Sequence, residues 1–190
     1  IPKDGVDIVS SGMPCETFST AGNRSRSFYD DRQLLFREGI RIAKIANAKL
    51  ILFENVPGIN TKKVKKVKKK LIVELLKKEL EDAGYGNYIE VTLSAADFGV
   101  PQRRNRFFIL ASRIKKLPLS APAPTCHKAI SVREAFAGLP NVIPNTGVAA
   151  TNYTGEDSCF SGQMRDNRFW KTGKEINRKV TYQMPMKHRA

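Results

Sequence analysis

Residues 49–58 read KLILFENVPG, a run that is apolar up to Phe53 and becomes charged at Glu54. A short apolar run bounded by turn signals is typical of a strand that is buried on both faces of a parallel sheet. Pro57-Gly58 supplies the turn that ends it. Open α/β sheets place their chemistry at the carboxyl ends of the strands, so Glu54 is a candidate site residue.

The segments around this strand complete an alternation of strands and helices. We predict strands at residues 4–11, 88–94 and 106–111, a helix at 30–47, and a lysine-rich helix from residue 62 to a stop at Gly84. This order predicts an α/β fold, half of a Rossmann-like sheet with mostly parallel strands. The first helix is predicted to be amphipathic, with Asp30 or Asp31 as its N-cap. Its apolar positions are Leu34, Leu35, Ile42 and Ile45.

A change in amino-acid composition after residue 115 predicts the domain organisation. The stretch KKLPLSAPAPTC is rich in proline, and the chain beyond residue 141 has few apolar runs. We therefore expect one α/β domain at residues 1–118, followed by a linker and a loop-rich region at 119–190. Within that region, Ser131 and Glu134 have the spacing of a capping box that opens a short helix.

The charge balance indicates a polyanionic partner. Lys and Arg number 33 against 18 Asp and Glu, a net charge of +15, and nucleic acid is the default candidate. A solubilising basic surface is the alternative. The lysines between residues 62 and 78 form either a solvated helix face, which we favour, or a phosphate-tracking patch.

Other classes of function find little support in the sequence. No apolar run approaches the ~20 residues that span a bilayer, and no signal peptide is visible. Three widely spaced cysteines favour a reducing compartment. Cys126 and His127 are adjacent, which is not a metal-ligand spacing, so we expect no metal site.

Three chemical features fall at the ends of predicted strands. Cys15 follows Pro14 just past the first strand, Glu54 ends the second, and QRRNR at 102–106 leads into the fourth. Groups at the carboxyl ends of neighbouring parallel strands converge on one crevice. Each feature alone has a plainer explanation, because a loop cysteine is usually inert and an arginine run is usually surface charge.

Taken together, the three features resemble the C5-cytosine methyltransferase family. The matching blocks are SGMPCETFSTAG (11–22), LFENVPGI (52–59) and DFGVPQRRNRFFIL (97–110), in the family's order and spacing. SVREAFAGLP (131–140) is similar to the segment that leads out of the family's catalytic domain. The resemblance implies a Rossmann-like S-adenosylmethionine-dependent methyltransferase sheet at 1–118, and the start of a small target-recognition domain at 119–190.

The resemblance also implies roles for the residues at the strand ends. Cys15 would be the nucleophile that adds to C6 of cytosine, as a thiolate is suited to do. Glu54 would neutralise charge at N3, which needs its carboxyl protonated or sharing a proton in a buried site. Arg106 would hold the cytosine O2, and Arg104 would brace the site. The methyl donor would be S-adenosylmethionine.

Further positions match residues that the family uses to hold its substrate and cofactor. Ser19, Arg32 and Gln102 would contact double-stranded DNA, whose target cytosine must be flipped out of the duplex. Pro14 and Leu35 would touch S-adenosylmethionine. The family's Gly-rich turn and its recognition segment are absent from the sequence, so we expect a fragment, or a second chain that supplies them.

The function implied is DNA cytosine-5 methylation in a restriction–modification setting, in the cytoplasm of a bacterial or phage-infected cell. RNA cytosine-5 methylation by the same fold is an open alternative. A non-catalytic DNA-binding member is another, suggested by Glu16 beside Cys15, where the family usually has glutamine. A basic binding module with an incidental cysteine is the third.

Overall fold

The computed structural model describes residues 5–14, 31–64, 70–139, 150–152, 155–165 and 179–181. The strands are β1 (Ile8–Gly12), β2 (Leu50–Asn55), β3 (Lys63–Val64), β4 (Lys70–Leu71), β5 (Asn87–Ser94), β6 (Asn105–Ser112), β7 (Ala150–Asn152) and β8 (Lys179–Thr181). The helices are α1 (Phe36–Ile45), α2 (Ile72–Asp82), α3 (Val132–Ala135) and α4 (Cys159–Arg165). Short 3-10 turns cover Asp31–Leu34, Pro57–Thr61 and Ala95–Phe98. In these described parts, no helix has both the length and the apolar character needed to cross a membrane.

The chain forms two compact units. The first comprises Ile1–Ala95 with Arg103–Thr125, and the second comprises Ala96–Gln102 with Cys126–Ala190. The second unit contains the β7–β8 pair and α3, which packs on α4. At the start of α3 the predicted capping box is confirmed: Glu134 N–H donates to Ser131 Oγ, and Ser131 N–H donates to Glu134 Oε2.

The first unit is built on a four-stranded sheet with the order β1-β2-β6-β5. The predicted α/β class is confirmed, and β1, β2 and β5 run in the same direction, as expected of a mostly parallel sheet. β6 is the exception, because it lies between β2 and β5 and runs antiparallel to both. Residues 95–104 connect β5 to β6. That length is below the dozen or more residues that a parallel crossover needs.

Helix α1 packs closely on β1 and β2. A Cβ on Gly39 would lie 2.7 Å from Ser11 Oγ and 2.9 Å from Phe53 Cε1, so only glycine allows this approach. The helix buries Phe36, Ile40 and Ala43.

Two details predicted for α1 are wrong. Leu35, Ile42 and Ile45 are exposed rather than buried, because the buried stripe begins one residue later, at Phe36. The N-cap position is Leu35, without a side-chain cap, because Asp31 begins a separate 3-10 turn.

The lysine-rich segment is not one continuous helix. β3 and β4 pair as an antiparallel hairpin before α2 begins at Ile72, so the predicted start at residue 62 is wrong. The predicted stop is confirmed. Gly84 has φ +90°, its N–H donates to Glu81 O, and Tyr85 N–H donates to Leu80 O. This is the Schellman arrangement, which uses a left-handed glycine to close the helix.

Tyr85 ties the end of α2 to the sheet, and its removal provides a test of the core. Its ring is fully buried and its hydroxyl donates to Ala48 O at 2.8 Å. We expect Tyr85→Phe to lower the free energy of unfolding by roughly 1–2 kcal/mol, because a buried carbonyl loses its partner. Urea denaturation at pH 7 measures this. Tyr88→Phe is the control, since Tyr88 OH makes an exposed bond to Glu81 and its loss should cost under about 0.5 kcal/mol.

The same tyrosine gives an alkaline pH dependence. Burial raises the pKa of Tyr85 above its ordinary value of 10.0. The unfolded chain therefore ionises first, and the stabilisation by Tyr85 is present below pH 10 and lost as the pH rises through the folded-state value. Equal unfolding energies for wild type and Tyr85→Phe at pH 7 would contradict the assigned hydrogen bond.

Candidate active site

The sheet brings Glu54 and Arg106 together. Because β6 runs antiparallel to β2, the start of β6 lies beside the end of β2, and Glu54 is paired in register with Phe108. Arg106 is two residues earlier on the same face of the sheet. Its Nε lies 2.8 Å from Glu54 Oε1, and the two side chains are 20% and 38% exposed. The pair is therefore reachable from solvent at the carboxyl edge of β1 and β2.

The surroundings of the pair leave both groups room to act. Gly12 is the register partner of Glu54 on β1, and a Cβ there would lie 3.7 Å from Glu54 Oε2. The lack of a side chain keeps this second carboxylate oxygen uncrowded. Arg106 Nη1 also donates to Asn105 O at 2.8 Å. These contacts use part of the guanidinium's donor set, so Arg106 can hold Glu54 and still donate to another oxygen.

Asn55 ties the ends of β1 and β2 together. It is 2% exposed, and its Nδ2 donates to Met13 O at 3.4 Å, while its Oδ1 accepts the N–H of Val56 at 2.8 Å. The bond to Met13 holds the backbone two residues before Cys15. Asn55 is a functional residue that sequence reasoning missed. The available signal was an amide at the third position of the buried alternation Ile51, Phe53, Asn55.

Helix α1 begins at the same edge of the sheet. Its C-terminal end meets the start of β1, where Val6 N–H donates to Ala46 O, and Gly39 meets Ser11 near the end of β1. The helix therefore runs antiparallel to β1, and its first turn lies at the carboxyl edge. Leu35 is 39% exposed there. Arg32, in the preceding 3-10 turn, is also exposed.

Of the five remaining predicted site residues, three are described by the structure and two are not. Cys15 and Ser19 lie outside the described residues. Pro14 is exposed at the end of the segment that follows β1. Arg104 is exposed, and its carbonyl accepts the N–H of Ala95 just before β6. Gln102 is exposed and falls in the second unit, so its role stays a prediction.

The described residues fit one part of the expected cofactor. Pro14 and Leu35 offer exposed apolar surface at the carboxyl edge, which an uncharged portion of S-adenosylmethionine can cover. Neither side chain can bind a polar group, so the two contribute contact area and not an anchor. Within the parts of the chain described, no group of three or more His, Cys, Asp or Glu side chains could hold a metal ion.

Comparison with a solved structure supports the fold. A protein described as a DNA modification methyltransferase, encoded within an Escherichia coli prophage, superposes with a TM-score of 0.64. The identity is 20%, and the match covers 96% of this chain and 52% of that protein. The sheet and its flanking helices thus form part of the same Rossmann-like α/β fold as that protein.

Comparison of sequences shows the family. The family model for C-5 cytosine-specific DNA methylase matches residues 1–188. Type II methyltransferase M1.HphI of Haemophilus parahaemolyticus is 33% identical over 174 residues, covering 90% of this chain and 44% of that enzyme. Type II methyltransferase M.XorII of Xanthomonas oryzae pv. oryzae is 36% identical over 146 residues, covering 74% and 31%. The chain belongs to the C-5 cytosine-specific DNA methylase family, and it spans less than half the length of these relatives.

The hydrogen bond from Asn55 to Met13 can be tested as the contact that holds the ends of β1 and β2 together. Asn55→Asp keeps the acceptor for Val56 N–H but faces the Met13 carbonyl with a carboxylate. We expect a loss of roughly 2–3 kcal/mol in unfolding free energy at pH 7, because a buried charge replaces a donor. Burial raises the pKa of such a carboxyl, so the loss should shrink as the pH falls towards 5.

Chemical denaturation at the two pH values measures both effects. Asn60→Asp is the matched control, because Asn60 is exposed in the 3-10 turn that follows β2. It should change stability by less than about 0.5 kcal/mol at either pH. An equally small change for Asn55→Asp would show that Asn55 does not hold Met13.

Proposed function

We propose that the protein is a DNA (cytosine-5-)-methyltransferase that acts on a cytosine flipped out of the duplex. The observation that carries the proposal is the contact of 2.8 Å between Arg106 and Glu54, at the edge of the sheet where the segment after β1 continues to Pro14. A carboxylate, a guanidinium and a thiol are the groups needed to activate a cytosine ring. Family membership supports the reaction class.

In the proposed mechanism, Cys15 makes the ring reactive. Its thiolate adds to C6, the C5–C6 double bond opens, and the electron pair moves through C5 and C4 onto N3. Sulfur is suited to this step because the thiolate is a strong nucleophile and also a good leaving group. The bond from Asn55 to Met13 positions the backbone just before Cys15.

Glu54 and Arg106 receive the charge that the addition produces. Arg106 Nε holds Glu54 Oε1, which leaves Oε2 to face N3 and to supply the proton that N3 gains. The remaining Arg106 donors hold the cytosine O2. Glu54 is 38% exposed, so we infer that the flipped base itself excludes water from the pair.

The reaction closes by releasing the enzyme. The chemistry that S-adenosylmethionine supplies when bound is an electrophilic methyl group, and Pro14 and Leu35 would cover part of that cofactor. Once C5 carries the methyl group, N3 returns its proton to Glu54 and a solvent water takes the C5 proton, whose bonding pair restores the C5–C6 double bond. The electron pair of the C–S bond returns to Cys15 as its thiolate.

Substrate binding draws on the basic character of the chain. A flipped base costs a few kcal/mol of unstacking, which contacts to the phosphate backbone offset. Ser19 would contact that backbone beside the flipped nucleotide, and Arg32 would approach it elsewhere. Gln102 would also bind the DNA, and Arg104 would add to the positive field.

The proposal includes the cellular setting and the domain arrangement. Relatives named as type II methyltransferases support a restriction–modification role, in the cytoplasm of a bacterial or phage-infected cell. Residues 1–118 would be the catalytic core, and 119–190 would be the linker and the start of the target-recognition region. Missing cofactor and recognition segments would come from the rest of a longer chain or from a second chain.

Glu54→Gln tests the role of the carboxyl. The amide oxygen can still accept from Arg106, so the fold should persist, but glutamine cannot deliver a proton to N3. We expect transfer of labelled methyl groups to duplex DNA by the full-length gene product to slow by roughly 10²–10⁴-fold, with DNA affinity nearly unchanged. Glu74→Gln, at an exposed position in the first turn of α2, should leave the rate unaltered. A near-normal rate for Glu54→Gln would remove Glu54 from the acid role.

A further inference from the structure

The β3–β4 hairpin concentrates positive charge beside the candidate site. Residues 62–70 read KKVKKVKKK, with seven lysines and no acidic residue. The structure describes the two ends of this stretch, including Lys63 on β3 and Lys70 on β4, and both of these side chains are exposed. The pairing of β3 with β4 brings Lys63 and Lys70 onto neighbouring strands.

The base of the hairpin is fixed to the core. Ile72 N–H donates to Lys62 O at 2.9 Å, and Ile72 is fully buried at the start of α2. On the other side, the 3-10 turn Pro57–Thr61 packs on α2 and β6 through the buried Ile59. The lysines at the base are therefore held at a defined place on the surface.

That place is close to the site. The hairpin follows β2 after a single 3-10 turn, which rises only about 2 Å per residue. With the few extended residues around it, the path from Asn55 to Lys63 spans about 20 Å at most. This is less than one helical turn of duplex DNA, which is about 34 Å. Lys63 and Lys70 can therefore reach phosphates within one turn of the target base.

The pairing of the lysines differs between the hairpin and α2. On α2, Lys77 lies 2.7 Å from Glu90, and Lys78 lies 2.6 Å from Asp82. Among the residues that the structure describes, no acidic side chain lies within ion-pair distance of Lys63 or Lys70. The charges of Lys77 and Lys78 are compensated within the protein, and the charges of Lys63 and Lys70 are available to a partner.

The register places the charge on both faces of the ribbon. Lys63 is paired with Leu71 and Lys70 with Val64, and successive residues of a strand point to opposite faces. A flat anionic surface would meet only one of these faces. The major groove of duplex DNA admits a two-stranded ribbon and has phosphates on both sides.

We propose that the paired strands β3 and β4 form a DNA-contacting arm next to the target base, where Lys63 and Lys70 bind phosphates on the two sides of a groove. This inference rests on the proposed function, because it takes duplex DNA as the substrate. Since phosphate contacts carry no sequence information, the arm increases the affinity for target and non-target duplexes alike.

The test measures the salt dependence of duplex binding by the full-length gene product. For Lys63→Gln/Lys70→Gln, the slope of log K against log salt concentration should become shallower by roughly 1–2 units, equally on target and non-target DNA. The rate of methyl transfer at saturating DNA should stay unchanged, because neither lysine contacts the base. Lys77→Gln/Lys78→Gln removes the same charge from α2 and should leave the slope as it is.

A charge-preserving variant separates binding from folding. Lys63→Arg/Lys70→Arg should retain the wild-type slope, and if it loses binding as fully as the glutamine variant, the arm does not act through its charge. If the glutamine variant has an unchanged slope and the wild type transfers methyl groups normally, the proposal of a DNA-contacting arm is wrong and the proposed function still stands. A wild type that neither binds nor methylates duplex DNA would overturn both.

Discussion

The antiparallel insertion of β6 between β2 and β5 is the constraint on which the site depends. It places the start of one strand beside the end of another, and so brings Arg106 within 2.8 Å of Glu54 although 51 positions separate them in the sequence. Had β6 run parallel to β2, Arg106 would lie at the opposite edge of the sheet. The short connection between β5 and β6 imposes this direction, so the length of that connection determines that Arg106 and Glu54 lie side by side.

The sequence predicted the parts of the fold that local patterns control. The apolar runs located β1, β2, β5 and β6 to within a few residues, because a buried strand needs apolar side chains wherever it is placed. Gly84 and the Ser131–Glu134 spacing located a helix end and a helix start, since each feature satisfies backbone groups within its own turn. Glu54 and Arg106 were assigned to one crevice by their positions at the ends of predicted strands, and the structure brings these two together.

The parts that were wrong depend on contacts between distant segments. The antiparallel direction of β6 was not predicted, because strand composition does not distinguish β6 from a parallel strand. Ile42 and Ile45 fitted an apolar helical pattern, but the sheet contacts the face defined by Gly39. The valines and lysines of 62–70 fitted a helical spacing as well as a hairpin. The structural role of Asn55 was not predicted because it depends on a hydrogen bond to the backbone of Met13, which no local sequence pattern reveals.

The measurement that tests this account most directly is the trapping of a covalent adduct. The full-length gene product is incubated with S-adenosylmethionine and with duplex DNA or RNA that carries 5-fluorocytosine, which lacks the C5 proton whose loss releases the enzyme. The account predicts a denaturant-stable adduct with DNA that peptide mass mapping places at Cys15, and no adduct for Cys15→Ser. An adduct at Cys126 or Cys159, an adduct with RNA alone, or no adduct with either substrate would contradict it.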